Sequence, residues 1–169
     1  MKKILSKKAA KIIRNKKTLE KALGVRITSK GKEITIEGSP EDEYLGQEVI
    51  DAINFGFPIS SSLAIKNEEK ILEFLNIKDH TKRQDLERIR ARIIGRGGRG
   101  LRTLTNLTEC FIEIEGNRVG IIGNPESIKI ATEAVISLIK GSKHGNVYKF
   151  LEKNKSHLLA EDLGLKRPE

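Results

Sequence analysis

The stretch of sequence whose residue types most directly indicate chemistry is residues 93–108, IIGRGGRGLRTLTNLT, which is rich in glycine and arginine. Glycine has no Cβ, so a backbone rich in it can approach phosphate oxygens closely. A helix that begins at such a loop adds the positive end of its dipole. Three arginines would add direct positive charge, namely Arg96, Arg99 and Arg102. The pattern therefore predicts a site for phosphate groups.

The same glycines permit a second interpretation. Gly95, Gly97 and Gly100 fit the G-x-G-x-x-G pattern of dinucleotide-binding proteins, and Glu115 lies near the position of the acid that binds ribose in that fold. That fold requires a parallel sheet, whereas the short reversal predicted after Glu115 indicates an antiparallel strand. The absence of a GK[ST] ending excludes a P-loop. A third interpretation, a flexible surface turn, would leave the arginines unexplained. We therefore favour a loop that binds the phosphates of a polyanion, with a dinucleotide as the alternative ligand.

Residues that could supply metal ligands or a nucleophile are few. The three histidines and the single cysteine, at His80, His144, His157 and Cys110, do not follow a metal-ligand spacing. No serine, histidine and acid set can be identified from sequence order alone. We therefore predict no catalytic residues, no metal and no cofactor, so that the chain is not an enzyme.

Charge and composition favour a nucleic acid as the partner. The 169 residues carry a formal net charge of +9. Residues 1–32 hold 12 lysines and arginines against one acid, and residues 81–102 hold eight against two. Two such basic blocks are typical of a polyanion-binding protein. No apolar run approaches the ~20 residues of a membrane span, and the N-terminal residues lack the apolar core of a signal peptide. We expect a cytoplasmic protein with no membrane partner.

An internal repeat divides the chain into two halves. When the sequence is shifted by 85 residues, identical or similar residues align without a gap from Leu19 to Ile53. The aligned pairs include Leu19 with Leu104, Ile27 with Ile112, Gly31 with Gly116, Ile36 with Ile121, Gly38 with Gly123 and Pro40 with Pro125. The repeat predicts two similar small α+β domains, at residues 1–78 and 79–169.

Hydrophobic periodicity predicts the same order of elements in each copy, which is strand, helix, helix, strand, strand, helix. In the second copy the predictions are a strand at Leu86–Ile94, a helix from Leu101, strands at Phe111–Glu115 and 119–122, and a helix over 125–140. Residues 57–62 are predicted as a linker and residues 68–75 as a connecting helix. His144, Tyr148 and Phe150 are expected on a C-terminal helix that packs on the core, with partner binding as the alternative.

The second copy resembles a type I KH domain over about seventy residues, because its apolar pair, its G-x-x-G at 95–98, its helical leucines and its following strand keep that family's spacing. The resemblance implies that residues 95–98 clamp the backbone of about four unpaired nucleotides, while the bases occupy an apolar groove. Leu101 and Leu104 would line the groove or, as we prefer, the core beneath it. The implied RNA-binding residues are Arg90, Arg92, Ile94, Gly95, Arg96, Gly97, Gly98, Arg99, Leu101, Arg102, Ile112 and Ile114.

A narrower resemblance covers nearly the whole chain. The segments RIRARIIGRGGRGLRTLTNLT, VGIIGNPESIKIATEAV, KHGNVYKFLEKNK and GVRITSKGKEITIEG are similar to archaeal members of the partner-of-Nob and KRR family of tandem-KH ribosome assembly factors. This resemblance implies binding to precursor small-subunit rRNA near its 3′ end and cooperation with the Nob endonuclease. In some relatives it also implies contact with translation initiation factor two. A protein-docking scaffold in translation initiation is therefore a further alternative.

The first copy departs from the KH pattern, because it has no G-x-x-G. A gapless alignment places residues 10–13 at the loop, whereas an alignment that lacks one helical turn places residues 14–17 there, after an apolar pair. We prefer the second alignment and predict a degenerate KH domain with a secondary basic patch at Arg14, Lys16 and Lys17. This domain would pack, dock a partner or add diffuse charge that attracts RNA in a salt-dependent way.

Overall fold

The computed structural model describes residues 1–162 and Gly164. The chain forms two compact units, of which the first is Met1–Leu72 and the second begins at Glu73. This division lies a few residues before the border that we predict at residue 78. Within the described part of the chain, no helix is long and apolar enough to cross a bilayer.

The first unit consists of a three-stranded sheet and four helices. Its elements are β1 (Lys2–Leu5), α1 (Ala9–Arg14), α2 (Lys16–Leu23), β2 (Arg26–Lys30), β3 (Glu33–Glu37), α3 (Pro40–Phe55) and α4 (Ile59–Asn67). The strand order is β1-β3-β2, and β3 pairs antiparallel with both neighbours. Ile34 and Ile36 alternate with more exposed residues along β3 and are fully buried. One face of the sheet therefore forms the core of this unit.

The second unit repeats this plan. Its elements are β4 (Ile71–Asn76), a 3₁₀ turn (Ile77–His80), α5 (Leu86–Ile94), a 3₁₀ turn (Arg96–Gly98), α6 (Arg99–Thr108), β5 (Phe111–Glu115), β6 (Arg118–Gly123), α7 (Pro125–Ile139) and α8 (His144–Asp162). The strand order is β4-β6-β5, and β5 and β6 pair antiparallel through a two-residue reversal at Gly116 and Asn117. The predicted order of strands and helices is thus confirmed in both units.

The core of the second unit joins the sheet to helices α5, α6, α7 and α8. Ile112 and Ile121 face each other across β5 and β6 and are almost fully buried. Helix α7 starts at Pro125, as proline at the first helical position favours, and packs against this sheet. Ile93 from α5 and Leu104 from α6 are fully buried in the same cluster. The core thereby fixes the positions of α5 and α6 and of the loop that joins them.

The segment Leu86–Ile94 is a helix, so its prediction as a strand is wrong. Ile89 and Ile93 lie four residues apart on one helical face, and both are buried. Leucine, glutamate, arginine and alanine, which make up most of the segment, are also good helix formers. The glycine-rich segment consequently joins two helices rather than a strand and a helix.

Two predictions about the connection between the copies are also wrong. Residues 59–62, predicted within a linker, form the first turn of α4, in which Ser62 is buried and its hydroxyl donates to the Pro58 carbonyl at 2.9 Å. Residues 71–75, predicted within a connecting helix, belong to strand β4. In both segments tertiary burial and strand pairing override the local pattern. Strand β4 is the first strand of the second unit, which the sequence predicts at Leu86–Ile94.

Candidate nucleic-acid interface

The glycine loop, residues 95–98, joins the end of α5 to the start of α6. Gly95, Gly97 and Gly98 have φ angles of 74°, 62° and 78°. These values lie in the left-handed region, which non-glycine residues adopt only at a cost. The Gly98 amide donates to the Gly95 carbonyl at 3.2 Å, which closes the loop. The backbone path between the two helices therefore depends on glycine.

The glycines of this segment serve two different purposes. A Cβ on Gly95 would lie 2.5 Å from the Gly100 amide nitrogen, and a Cβ on Gly100 would lie 2.5 Å from the Ile93 carbonyl oxygen. These two residues allow the backbones of α5 and α6 to come into close contact. By contrast, a Cβ on Gly97 or Gly98 would meet nothing within 4 Å. Gly97 and Gly98 thus present their backbone to open space, where a phosphate could approach.

Three exposed arginines surround the glycine loop. Arg96 lies within it, and Arg99 and Arg102 lie on the first turn of α6. An Nη2 of Arg102 donates to the Gly97 carbonyl at 3.0 Å, so this side chain also braces the loop. The loop therefore combines accessible backbone with concentrated positive charge, which suits the binding of phosphates.

Arg90 and Arg92 have contacts that the sequence did not predict. The Arg92 guanidinium donates to the Leu138 carbonyl at 2.6 Å and also reaches the carbonyls of Gly141 and Ser142, just beyond α7. An Nη1 of Arg90 donates to the Gly116 carbonyl at 3.2 Å. Both side chains therefore tie α5 to the rest of the unit. These carbonyl contacts give both side chains a structural role, and their assignment to RNA stays a prediction.

The start of α5 is stabilised by an ion pair on the surface. The Nε and Nη2 of Arg83 donate to the two carboxylate oxygens of Asp85 at 2.9 and 2.7 Å. These hydrogen bonds hold the pKa of Asp85 below its usual value and raise that of Arg83. A charged Asp85 precedes the first residue of α5, where a negative charge favours the helix dipole.

A groove opens between α6 and β5, next to the glycine loop. Its volume is about 340 Å³, and the residues that line it are Gly98, Leu101, Arg102, Thr105, Asn106, Ile112 and Glu113. Leu101 and Ile112 give it an apolar floor, while the others provide polar groups at its edge. Such a combination can accept a base by van der Waals contact and hydrogen-bond its edges.

The sequence located part of this groove. Leu104 is fully buried, so the preferred assignment of this residue to the core is confirmed. Ile94 and Ile114 are partly buried, but neither lines the groove. Thr105 and Asn106 line it and were missed. They lie four residues after Leu101 and Arg102, and this helical spacing could have identified them.

The first unit lacks an equivalent loop. Helix α1 ends at Arg14 and α2 begins at Lys16, so Asn15 alone joins them, with an ordinary φ of −106°. Helix α1 has 6 residues against 9 in α5, which agrees with the alignment that lacks one helical turn. Arg14 and Lys17 are exposed, whereas Lys16 is half-buried and lies 4.0 Å from Glu20. These cations form a diffuse basic patch without accessible glycine backbone.

The structure removes the dinucleotide alternative. The G-x-G-x-x-G segment lies between two helices, whereas a dinucleotide fingerprint requires a strand directly before it. The sheet next to it contains the antiparallel pair β5 and β6. Among the residues whose side chains are described, no three histidines, cysteines or acids are grouped to hold a metal; the side chain of His157 lies outside that set.

Two βααββα units, of which the second carries the glycine loop and the groove, define a tandem type I KH protein. The family model of the second KH domain of Pno1, described as a eukaryotic-type KH domain (KH-domain type I), matches residues 71–156. A KH domain-containing protein of Methanocaldococcus jannaschii is 33% identical over 151 residues, which cover 85% of this chain and 66% of the relative. The chain belongs to the Pno1 family of KH-domain proteins.

Other relatives carry more specific names. The pre-rRNA-processing protein pno1 of Schizosaccharomyces pombe is 30% identical over 134 residues, 75% of this chain and 56% of the relative. The chain therefore spans between about half and two thirds of the length of these curated relatives. The crystal structure of Dim2p from Pyrococcus horikoshii has a TM-score of 0.80 and 32% identity, with 90% of this chain and 98% of that chain covered. A crystal structure described as an a/eIF2alpha–aDim2p–rRNA complex from the same organism matches with a TM-score of 0.81 and 31% identity, over 92% of this chain and 94% of that chain.

Proposed function

We propose that this protein binds single-stranded RNA in small ribosomal subunit biogenesis, on pre-rRNA near the 3′ end of the small-subunit rRNA. The observation that carries the proposal is the outward-facing backbone of Gly97 and Gly98, beside an apolar groove and three exposed arginines. The names of the relatives, which include a pre-rRNA-processing protein and a complex with rRNA, support the choice of RNA.

The groove selects unpaired RNA because paired bases cannot enter it. The sugar–phosphate chain would pass over Gly97 and Gly98, with Arg96 and Arg99 close to its phosphates. The bases would then point into the groove between α6 and β5, onto Leu101 and Ile112. Asn106 and Glu113 at the groove edge could hydrogen-bond to base edges. In this arrangement the backbone contacts give affinity, and the groove gives preference among bases.

The protein would act by holding RNA rather than by cutting it. Relatives named RNA-binding protein pno1 support this role, and the binding mode above uses Glu113, the carboxylate in the groove, to hydrogen-bond to a base edge. A separate nuclease of the Nob type would then cleave the RNA that this protein positions. The complex of a relative with a/eIF2alpha makes the α subunit of translation initiation factor two a second proposed partner. The first unit, in which no glycine loop is present, would supply such protein contacts.

The strandedness of the RNA tests the proposal directly. We expect an oligonucleotide from the 3′ region of the small-subunit rRNA to bind at least about tenfold more tightly than the same sequence annealed to its complement, because only free bases enter the groove. Fluorescence anisotropy at fixed salt measures both affinities. Equal affinities would indicate non-specific attraction by the basic surface and would contradict the proposal.

The basic patch of the first unit should contribute less than the glycine loop. Replacing Arg14, Lys16 and Lys17 by alanine is expected to weaken binding only several-fold and mainly to reduce the salt dependence, since each lost phosphate contact lowers the slope of log K against log salt by about 0.7 for single strands. Titrations at several salt concentrations give this slope. A larger loss of affinity than that caused by changes in the glycine loop would refute this ranking of the two units.

A further inference from the structure

A second cavity, of about 340 Å³, lies on the other face of α6 from the groove. Helix α5, the glycine loop, α6 and the start of α8 surround it, and the side chains that matter here are those of Arg96, Arg99, Thr103, His144 and Tyr148. Pockets for small ligands usually range from about 300 to 1,000 Å³, so this cavity is large enough for one nucleotide. It shares the glycine loop with the groove, so a strand that crosses the loop passes its mouth.

The aromatic wall of this cavity is held in place by the surrounding helices. The rings of His144 and Tyr148 are 6.0 Å apart between centroids and inclined at 60°. The Nε2 of His144 donates to the Arg92 carbonyl at 2.8 Å, and the guanidinium of Arg92 is itself bound to the carbonyls at the end of α7. The half-buried Tyr148 thus lies one helical turn from an anchored residue. An aromatic ring fixed in this way is suited to stacking against a flat ligand.

The charge and polarity of the cavity indicate which flat ligand it takes. Arg96 and Arg99 are exposed at its mouth, and Thr103 adds a hydroxyl to its wall. Cations at the mouth and an aromatic ring within are the combination by which proteins hold single-stranded nucleic acid, with phosphate outside and base stacked inside. Tyr148 is partly buried against the core and also lines the cavity, so part of its ring remains accessible from the cavity.

We propose that this cavity is a second nucleotide-binding site, in which a base stacks on Tyr148 and its phosphate contacts Arg96 and Arg99. The nucleotide would be the neighbour, along the same strand, of those bound at the groove and the glycine loop, so this inference rests on the proposed function and extends it. The glycine loop then lies between two base-binding sites, and Arg92 acts as a positioning residue for the second one. The RNA footprint of the second unit would exceed that of the groove alone.

The dependence of affinity on RNA length tests this site. We expect an eight-nucleotide RNA to bind at least about tenfold more tightly than a four-nucleotide RNA, because one further base stacks on an aromatic ring. Tyr148→Ala should remove most of this gain and leave the affinity for four nucleotides unchanged. Tyr148→Phe should keep it, since the ring remains. Phe150→Ala is the matched control, because Phe150 lies on the same helix but is exposed and outside the cavity.

Intrinsic fluorescence provides an independent measurement. The chain has two tyrosines and no tryptophan, so a Tyr44→Phe variant leaves Tyr148 as the sole strong emitter. Stacking of a base should quench its emission with the eight-nucleotide RNA and not with the four-nucleotide RNA. Failure of the four-nucleotide RNA to bind would overturn the proposed function and this inference with it. A different set of results would overturn the second site alone. In it the four-nucleotide RNA binds, Tyr148→Ala leaves the gain in affinity with RNA length unchanged, and tyrosine emission is not quenched.

Discussion

Replacing both Arg96 and Gly97 by aspartate is expected to weaken binding of single-stranded RNA by about a hundredfold, which is close to complete loss at ordinary concentrations. The double change places two carboxylates where the sugar–phosphate chain would approach and removes one cation. Like-charge repulsion and the loss of a phosphate contact act together at the same point. Anisotropy titration with the 3′-region RNA measures the loss.

The folded state should survive this double change. Arg96 is exposed, and a Cβ at Gly97 would meet nothing within 4 Å. Aspartate also tolerates a positive φ better than most residues do, so we expect only a small decrease in melting temperature. The matched control is Lys129→Asp with Gly116→Asp, because Gly116 has a φ of 59° and equally open surroundings. The assignment of the RNA site would be contradicted if the loop variant kept its affinity for RNA. It would also be contradicted if the control variant lost as much affinity as the loop variant.

The second half of each repeat could be predicted from sequence because its signals are local. Ile112 and Ile114 alternate with acids along β5, and a glycine reversal separates β5 from β6. Pro125 marks the start of α7. The strand period, the turn and the start of the helix are each indicated by residues that lie within a few positions of the element they define. The gapless repeat then transfers the same elements to the first half.

The first half of each repeat was harder to predict because its elements are defined by tertiary contacts. Helix α5 has one arginine-rich face beside a narrow buried one, and Ile89 and Ile93 are its only fully or almost fully buried residues. Strand β4 joins its sheet beside β6, far along the chain. Neither fact is visible in a short window of sequence. The predicted order of elements is nevertheless confirmed, although the first strand of the second copy was placed on the wrong residues.

In the candidate site, too, the local features could be predicted from sequence and the tertiary contacts could not. Spacing alone located the glycine loop and the exposed arginines, since both are features of one short segment. It could not separate the glycines that allow helix contact, such as Gly100, from those that face open space, such as Gly97. It also could not show that the Arg92 guanidinium donates to carbonyls of residues about fifty positions later in the chain. Contacts between distant residues therefore determine which side chains of the motif also brace the fold.

Gly100→Ala is expected to destabilise the second unit, the opposite of its usual effect in a helix. In an open helix this change stabilises by roughly 0.5–1 kcal/mol, because alanine loses less conformational entropy on folding. Here the added Cβ would lie 2.5 Å from the Ile93 carbonyl oxygen and 2.9 Å from that of Ile94. Both are backbone atoms of α5 and cannot rotate away, so α5 and α6 must separate.

Separation of α5 from α6 disturbs the buried contacts of Ile93 and Leu104, and overpacking of this kind typically costs about 1–3 kcal/mol. Urea denaturation followed by circular dichroism should therefore show a lower free energy of unfolding. RNA affinity should fall as well, because the displaced helices distort the loop between them. Gly145→Ala is the matched control, since Gly145 lies in α8 with nothing within 4 Å of its added Cβ. If Gly100→Ala proved as stable as Gly145→Ala, the close contact of α5 and α6 that positions the glycine loop would be refuted.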